Sequence, residues 1–531
     1  MTKNNSKLSI GIGLALFFVG IFILALINSY SYSDNDLGWH LRVGNDIAIT
    51  NEVPTVNYYN YTLAKDKWVD HEWLLNLGMY KVFEVSSYTG LHIFFALLII
   101  LIVYYSWQRV RILNGKSLAI SIATLVLTVF ALWASRPHLG IRVQEFALLL
   151  FVYVLYVIDL FPERKKMFWA LPLVFIFWAN IHGSFILGLS ILFAFSAYLW
   201  LQPVLQKIRF LKPLLLKEYS KREKVSASII WTLSVLGTFI NPYGLKLYAF
   251  LGGYTNTFYM VHIQEWQGQT SIPLYYPQLI YLAVAVSIIG LHLYSNQGKN
   301  STQTLWNWGV SALFFILALR SRRHFPLFAF ISLPILVMAV QQMFYGYKRE
   351  VDVSNNKKYI VVLLISTTIG LAWLTFQIPF GQDSIKERCG IKYPCAAVDY
   401  LKANRQYDDL RLLNEFNWGG YLLYAYPERQ IFIDGRMPQA TYKEHTILEE
   451  YSKFKVAGTD YQELLNEHGI GLILLYSQDR QVKISKLERA LLQVKPEEMK
   501  INSYLRDFVG SSSDWKEVYK DELSVIYVRS N

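Results

Sequence analysis

Residues 30–73 read YSYSDNDLGWHLRVGNDIAITNEVPTVNYYNYTLAKDKWVDHEW, an acidic and aromatic loop that follows one apolar run and precedes a long series of others. Asp34 and Asp36 with His40 open it, and Asp70, His71 and Glu72 close it. Carboxylates and imidazoles beside a bilayer are expensive to bury and useful for metal binding or proton transfer. A loop that concentrates both reads as a functional centre, and the rest of the chain as a frame built to present it.

The frame is membranous. The 531 residues are 53% hydrophobic and 16% aromatic, and the apolar residues fall in long blocks, which excludes an ordinary soluble protein. The net charge of +12 is carried mainly by Lys and Arg in short segments between those blocks, so it orients helices and does not point to nucleic acid. The first run lacks a small-residue cleavage site and reads as a retained anchor. Richness in Tyr, Asn, Ile and Lys fits an AT-rich bacterial source.

About twenty apolar residues span a bilayer, and cytoplasmic loops collect Lys and Arg. On those two rules the N-terminus, with Lys3 and Lys7, is cytoplasmic, and the crossings fall near 8–29, 88–106, 117–134, 143–161, two within 168–201, then 226–240, 278–295, 304–319, 325–343 and 359–379. That predicts an α-helical polytopic protein of about eleven transmembrane helices, with HEWLLNLGMYKVF as a short amphipathic helix at the outer interface. The stretch 168–201 has basic segments at both ends and at about 1.5 Å per residue is too long for one helix. It is a hairpin whose tip is Trp178-Ala179-Asn180-Ile181-His182-Gly183.

This division sorts polar residues by side. Basic loops fall inside, while the Asp, Glu, Asn and His clusters fall outside. Arg320-Ser321-Arg322-Arg323-His324 breaks the charge rule by lying outside, which an anionic partner would explain. The chain divides into a transmembrane part, 1–382, and an extracytoplasmic tail, 383–531, where short apolar runs (LRLLNEF, QIFIDG, GLILLY, SVIYV) alternate with helical patterns (AAVDYLKAN, YKEHTILEEYSKF, DYQELLNEHG, KLERALLQV). That alternation predicts a small α/β domain that folds as its own unit. Cys389 and Cys395 lie at its start, either as a disulfide in an oxidising compartment or as two free thiols.

Asp34 and Asp36 at i and i+2 suit one shared divalent cation, or one base and one ligand. Asp34 also reads as the N-cap of the helix that follows. Asp36 and His40 lie one turn apart on one helical face, where two side chains meet one ligand. Asp70, His71 and Glu72 exceed what capping the next helix requires. Arg136-Pro137-His138, Asn180 with His182, and His262 with Glu265 read either as site residues or as interfacial anchors. No H-E-x-x-H or cysteine pairing supports zinc, so the metal to expect, if one is used, is magnesium or manganese at Asp36 and Glu72. Arg136, Arg142, Arg320, Arg322 and Arg323 are the natural phosphate ligands, because guanidinium binds phosphate oxygens bidentately.

D-N-D-L-G-W-H-L-R-V-G at 34–44, W-V-D-H-E-W-L at 68–74 and a distal α/β tail together resemble the C-type (GT-C) glycosyltransferase superfamily. R-P-H, N-x-H-G, F-N-W-G-G-Y-L at 416–422 and F-I-D-G-R at 432–436 are similar to a group of bacterial membrane proteins. The superfamily resemblance implies an enzyme that moves a sugar from a polyprenyl-phosphate or -pyrophosphate carrier to a glycan, lipid or protein acceptor outside the membrane. It implies Asp36, or else Asp34, as base or metal-associated carboxylate, with His40 and His71 beside it and Glu72 or Glu265 as the second acidic position. Arg136, Arg320, Arg322, Arg323 and His324 would hold the carrier phosphate. Asp70, His138, Asn180, His182, His262, Glu265, Trp418, Asp434 and Arg436 would bind the acceptor or support the site. A transporter or flippase of lipid-linked glycans would instead place charges within the spans and show an internal repeat. An envelope-polysaccharide assembly protein would dock partners on its tail.

Overall fold

The computed structural model describes residues 2–31, 34–115, 117–215, 217–255, 257–296, 304–345, 388–482, 484, 488–490 and 500–530. The crossing expected at 359–379, Lys348, Arg349, Lys357 and Lys358, which the charge rule would put on the cytoplasmic side, and most of KLERALLQV lie outside the described residues.

The helices run in order α1 (Thr2–Ser31), α2 (Leu37–Thr50), α3 (Trp73–Asn114), α4 (Leu118–Ser135), α5 (Gln144–Asp159), α6 (Lys165–Trp169), α7 (Leu171–Ala179), α8 (Phe185–Leu205), α9 (Lys221–Gly237), α10 (Lys246–Gly252), α11 (Thr257–His262), α12 (Tyr276–Asn296), α13 (Leu305–Arg320), α14 (Phe325–Ile331) and α15 (Leu333–Tyr345). Among the described residues, four are long and apolar enough to cross a membrane, five if α14 and α15, bent by 53° across Ser332, form one span. The protein is therefore multi-pass, but the described residues do not reach the expected count of eleven. The reason is physical: α7 has nine residues and is about 14 Å long, and α5 has sixteen, so neither alone matches a hydrocarbon core of about 30 Å. Two boundaries fall where the sequence put them. α3 breaks at Ser86 and Ser87, where Ser87 has φ 54°, separating the amphipathic stretch from the apolar one, and 168–201 breaks at Asn180–Ser184.

Large apolar side chains of α3, α5, α7, α8 and α14 form one core, with Phe95, Phe151, Phe175, Trp178 and Phe195 fully enclosed. It contains a buried ion pair: Arg109 Nε lies 2.7 Å from Asp159 Oδ2, and Arg109 Nη1 donates to Ile331 O at 3.2 Å, fastening α3 to α5 and α14.

The tail is α/β, as the alternation predicts. Its sheet orders β1 (Arg411–Asn414), β2 (Ile470–Tyr476), β4 (Ser524–Arg529) and β3 (Trp515–Lys520), parallel between β1 and β2 and antiparallel thereafter. Helices Cys395–Ala403 and Tyr461–Glu467 fall on predicted patterns. YKEHTILEEYSKF differs: Thr441–Thr446 is a two-stranded hairpin, and only Ile447–Lys453 is helical, begun by a capping box from Thr446 and Glu449. QIFIDG is extended but makes only single bridges, Ile431 with Asn60 and with Leu412. Cys389 and Cys395 form a disulfide.

One helix joins the two parts. α2 turns Leu37 and Leu41 toward the helical core and Trp39, Val43 and Ile47 into the tail's core, so the tail shares its interior with the first loop. The crossing is close. A Cβ on Gly38 would stand 2.2 Å from Gly420 O, and one on Gly420 would stand 2.5 Å from Asn35 O. Backbone atoms cannot swing aside, which accounts for glycine in F-N-W-G-G-Y-L.

Candidate functional site

At one end of the helical bundle, under the tail, lies a cavity of about 350 Å³. Its walls come from separate loops: Asp36, His40, Asp70, His71 and Glu72 from the first, His138 and Arg142 from the α4–α5 turn, and His182 from the α7–α8 turn. Glu265 comes from the loop before α12, Arg323 and His324 from the turn before α14, and Gly435 and Arg436 from the tail. On its other side it is walled by Leu148, Phe151, Ile186, Leu187 and Leu327 of α5, α8 and α14. The chamber is thus polar at one end and hydrocarbon at the other.

Asp34 is not the helix cap. Asp36 occupies that position without a capping hydrogen bond, and Asp34 Oδ1 accepts the Asp36 N–H at 3.2 Å while its Oδ2 lies 3.5 Å from Arg142 Nε. Burial and the neighbouring Asp34 charge push the Asp36 carboxyl well up. Burial raises Asp34 as well, but Arg142 and the Asp36 N–H offset it, so the pair carries its negative charge on Asp34. Glu72 is likewise held well above the usual range by burial and by Asp70. Neither Asp36 nor Glu72 pairs with a lysine or arginine among the described residues.

Two histidines have tautomers fixed by their neighbours. Asn76 Nδ2 donates to both Asp70 oxygens at 3.0 and 2.9 Å, which turns Asn76 Oδ1 to His40 Nδ1 at 2.6 Å. That oxygen can only accept, so His40 carries its proton on Nδ1 and keeps a lone pair on Nε2. Burial lowers His40 to about 4 and raises Asp70 to about 6, so at neutral pH the imidazole is neutral and the carboxylate ionised. His182 is the opposite case. Trp178 Nε1 donates to Ser184 Oγ at 3.0 Å, and Ser184 directs its hydroxyl (2.8 Å) and its N–H (3.1 Å) at His182 Nδ1. The proton therefore sits on Nε2, 3.6 Å from Glu72 Oε1, where it closes no hydrogen bond. Burial and Arg323 hold His182 well below its ordinary range. His71, lowered to about 3 by burial and Arg323, approaches the same Glu72 oxygen at 3.5 Å.

The cations are held in place rather than free. Glu265 accepts from Arg323 Nη1 at 2.7 Å and from Arg142 Nη1 at 3.4 Å, and Arg323 stacks 4.9 Å from the Trp266 ring. Arg436 is gripped by Asp434 at 2.9 and 2.7 Å and by Asn60 Oδ1 at 2.7 Å, packs on Tyr59 and Trp68 at 4.3 and 4.7 Å, and leaves Nη1 without a partner on the cavity wall. Gly435 backs onto Asp36: a Cβ there would stand 2.1 Å from Asp36 Oδ1.

Other expected residues lie elsewhere. Arg136 Nε donates to Asn28 Oδ1 at 3.3 Å, Arg320 is exposed, and Arg322 turns to Ser271 O, so none of the three lines the cavity. Asn180 is a clasp, accepting from Trp73 Nε1 at 2.9 Å and donating to Ile240 O at 2.8 Å. His262 stacks on Phe258, and Trp418 is enclosed in the tail with its indole donating to Lys392 O at 3.0 Å. Asp434 acts through Arg436. Asn76, Ser184, Tyr254 and Tyr259 went unnoticed in the sequence, although a buried Asn on the apolar face of HEWLLNLGMYKVF was a visible signal.

No protein-family model and no curated protein sequence matches the chain. Among solved structures it is similar to the Archaeoglobus fulgidus oligosaccharyltransferase tethered with an acceptor peptide, at 11% identity and TM-score 0.55 over 98% of this chain and 74% of that one. It is also similar to the oligosaccharyltransferase AglB of the same organism in complex with an inhibitory peptide and a dolichol-phosphate (10%, TM-score 0.52, 87% and 69%). A third is the mycobacterial arabinofuranosyltransferase AftD (13%, TM-score 0.52, 97% of this chain), of which the chain spans 40%. These likenesses are of fold alone: the chain is a multi-pass membrane protein whose architecture is similar to that of these oligosaccharyltransferase and arabinofuranosyltransferase structures.

Proposed function

We propose that the chain is a membrane glycosyltransferase that moves a sugar from a polyprenyl-phosphate or -pyrophosphate carrier to an acceptor on the outer face of the membrane. The observation that carries this reading is the two-ended cavity, with carboxyls, imidazoles and three guanidinium groups against a wall of Leu148, Phe151 and Leu187. A lipid carrier needs both ends at once.

In the reaction the acceptor oxygen bonds to the anomeric carbon as the bond to the carrier phosphate breaks. The phosphate leaves with the electron pair, and Arg142 and Arg323 meet its charge, an effect of several kcal/mol in water-excluded sites. Asp36, whose carboxyl burial and Asp34 raise to about 8, takes the acceptor proton once it is ionised, His40 Nε2 orients the acceptor hydroxyl, and the His182 N–H faces Glu72 Oε1 at 3.6 Å. A divalent cation fits the donor chemistry, since Asp36 and Glu72 are buried carboxyls without cationic partners. Magnesium or manganese would be held by those two together with substrate phosphate oxygens, and would supply charge neutralisation there. Among the described residues, the group of acidic and histidine atoms close enough to enclose an ion unaided is Glu450, Glu467 and His468, in the tail.

The test is Asp36→Asn in single-turnover release of sugar from a polyprenyl-linked donor. General-base loss lowers the rate about 10²–10⁴-fold. Full activity of the variant would remove the assignment.

A further inference from the structure

A second cleft, about 960 Å³, lies between the first loop and the tail, at the upper end of the roughly 300–1,000 Å³ usual for ligand sites. Tyr58, Tyr59 and Tyr61 line it, Tyr58 with 64% of its surface exposed. Opposite stand Asp408, Asp409, Arg411 and Arg429 of the tail. Arg429 is only 7% exposed; its Nη2 donates to Tyr407 O at 2.8 Å and Leu410 O at 2.5 Å, while Nε and Nη1, the latter 3.6 Å from Asp408 Oδ1, close no hydrogen bond within the chain. The cleft wall thus contains a buried guanidinium fixed by two backbone carbonyls and paired with Asp408.

We infer that this cleft is a saccharide-binding subsite that holds the part of a glycan acceptor remote from the reacting end, an inference that rests on the transferase reading. Three features of the cleft select that chemistry. Phenol faces pack against the C–H faces of pyranose rings, while planar carboxylate and guanidinium groups bridge adjacent hydroxyls in bidentate fashion. The lining carries three arginines against five carboxylates, which excludes a polyanionic glycan and a phosphate headgroup and favours a neutral or amino sugar. The position suits an acceptor, because the two cavities share one wall: Tyr59 faces the cleft, and Arg436, stacked on it at 4.3 Å, faces the reaction chamber.

The test is equilibrium binding of linear oligosaccharides of glucose, N-acetylglucosamine, mannose and galactose to the full chain in lipid nanodiscs, with polyprenyl phosphate titrated separately. Tyr58→Ala and Arg429→Lys are compared with wild type. The expected result is saturable binding of at least one saccharide, weakened about tenfold by Tyr58→Ala, with polyprenyl-phosphate binding unchanged. Wild-type protein that binds polyprenyl phosphate but no saccharide overturns the inference, and so does saccharide binding that both variants retain. Saccharide binding without polyprenyl-phosphate binding keeps the subsite and removes the lipid-carrier reading.

Discussion

Asp70→Asn is an isosteric change that separates orientation from stability. In the wild type, Asp70 accepts both bonds from Asn76 Nδ2, and this fixes Asn76 Oδ1 on His40 Nδ1. An amide at position 70 presents its own N–H groups, so the Asn76 amide turns over and its Nδ2 faces His40, moving the imidazole proton to Nε2. The lone pair aimed at the acceptor is lost. Bonds to a charged group are worth about 1.5–3 kcal/mol, so the rate should fall about 10- to 150-fold. Stability should move little, because two terms cancel. Burial raises the Asp70 carboxyl from 3.8 to about 6, so the native state binds its proton more tightly than the unfolded chain. Ionising it therefore costs stability as pH rises from about 4 to about 6, roughly 3 kcal/mol in all. At pH 8 the amide removes that cost while giving up hydrogen bonds of similar worth. The assay is single-turnover sugar transfer at pH 8 beside a thermal melt in the same detergent. Activity within threefold of wild type, with an unchanged melt, would refute the orienting role of the Asp70–Asn76–His40 chain.

Two further outcomes follow from packing. Arg109→Met leaves Asp159 as an unpaired buried charge and should cost about 3–5 kcal/mol in detergent unfolding, largely recovered by Arg109→Met with Asp159→Leu; equal stability of the two variants would contradict the ion-pair account. Gly435→Ala drives a methyl into the Asp36 carboxylate and should lose transfer activity while the tail still folds, at an overpacking cost of about 1–3 kcal/mol. Gly78→Ala, where a Cβ meets nothing within 4 Å, is the control, and equal activity of the two would contradict the placement of Asp36.

Membrane crossing and polar sorting were legible because both are long-range properties of composition: hydrocarbon length sets the runs, and buried charge is costly enough to gather Asp36, His40, Glu72, Arg142, His182, Glu265 and Arg323 at one end. Which neighbour in a pair does the work was not legible. Arg322 and Arg323 are adjacent, yet the tight turn Arg322–His324 sends one to a backbone carbonyl and the other to the cavity. Asp34 is not the cap because the helix begins at Leu37, two residues beyond what a cap at Asp34 would require, which puts Asp36 at the cap position. In the tail, Trp515–Lys520 has too weak an alternation to read as a strand, and QIFIDG has the composition of one without a neighbour to complete its ladder. The tail's share in the site, Gly435 and Arg436, depends on α2 crossing Gly419–Ala425, a contact between residues nearly four hundred positions apart in a chain of 531.

Binding of polyprenyl phosphate to the full chain in nanodiscs, compared among wild type, Arg323→Ala and Asp36→Ala, tests the central claim most directly. With divalent cations removed, loss of a charge-assisted phosphate contact predicts about 10- to 150-fold weaker binding by Arg323→Ala and wild-type binding by Asp36→Ala. Wild-type protein that melts cooperatively yet binds no polyprenyl phosphate would contradict the account and favour an assembly protein that docks partners on its tail.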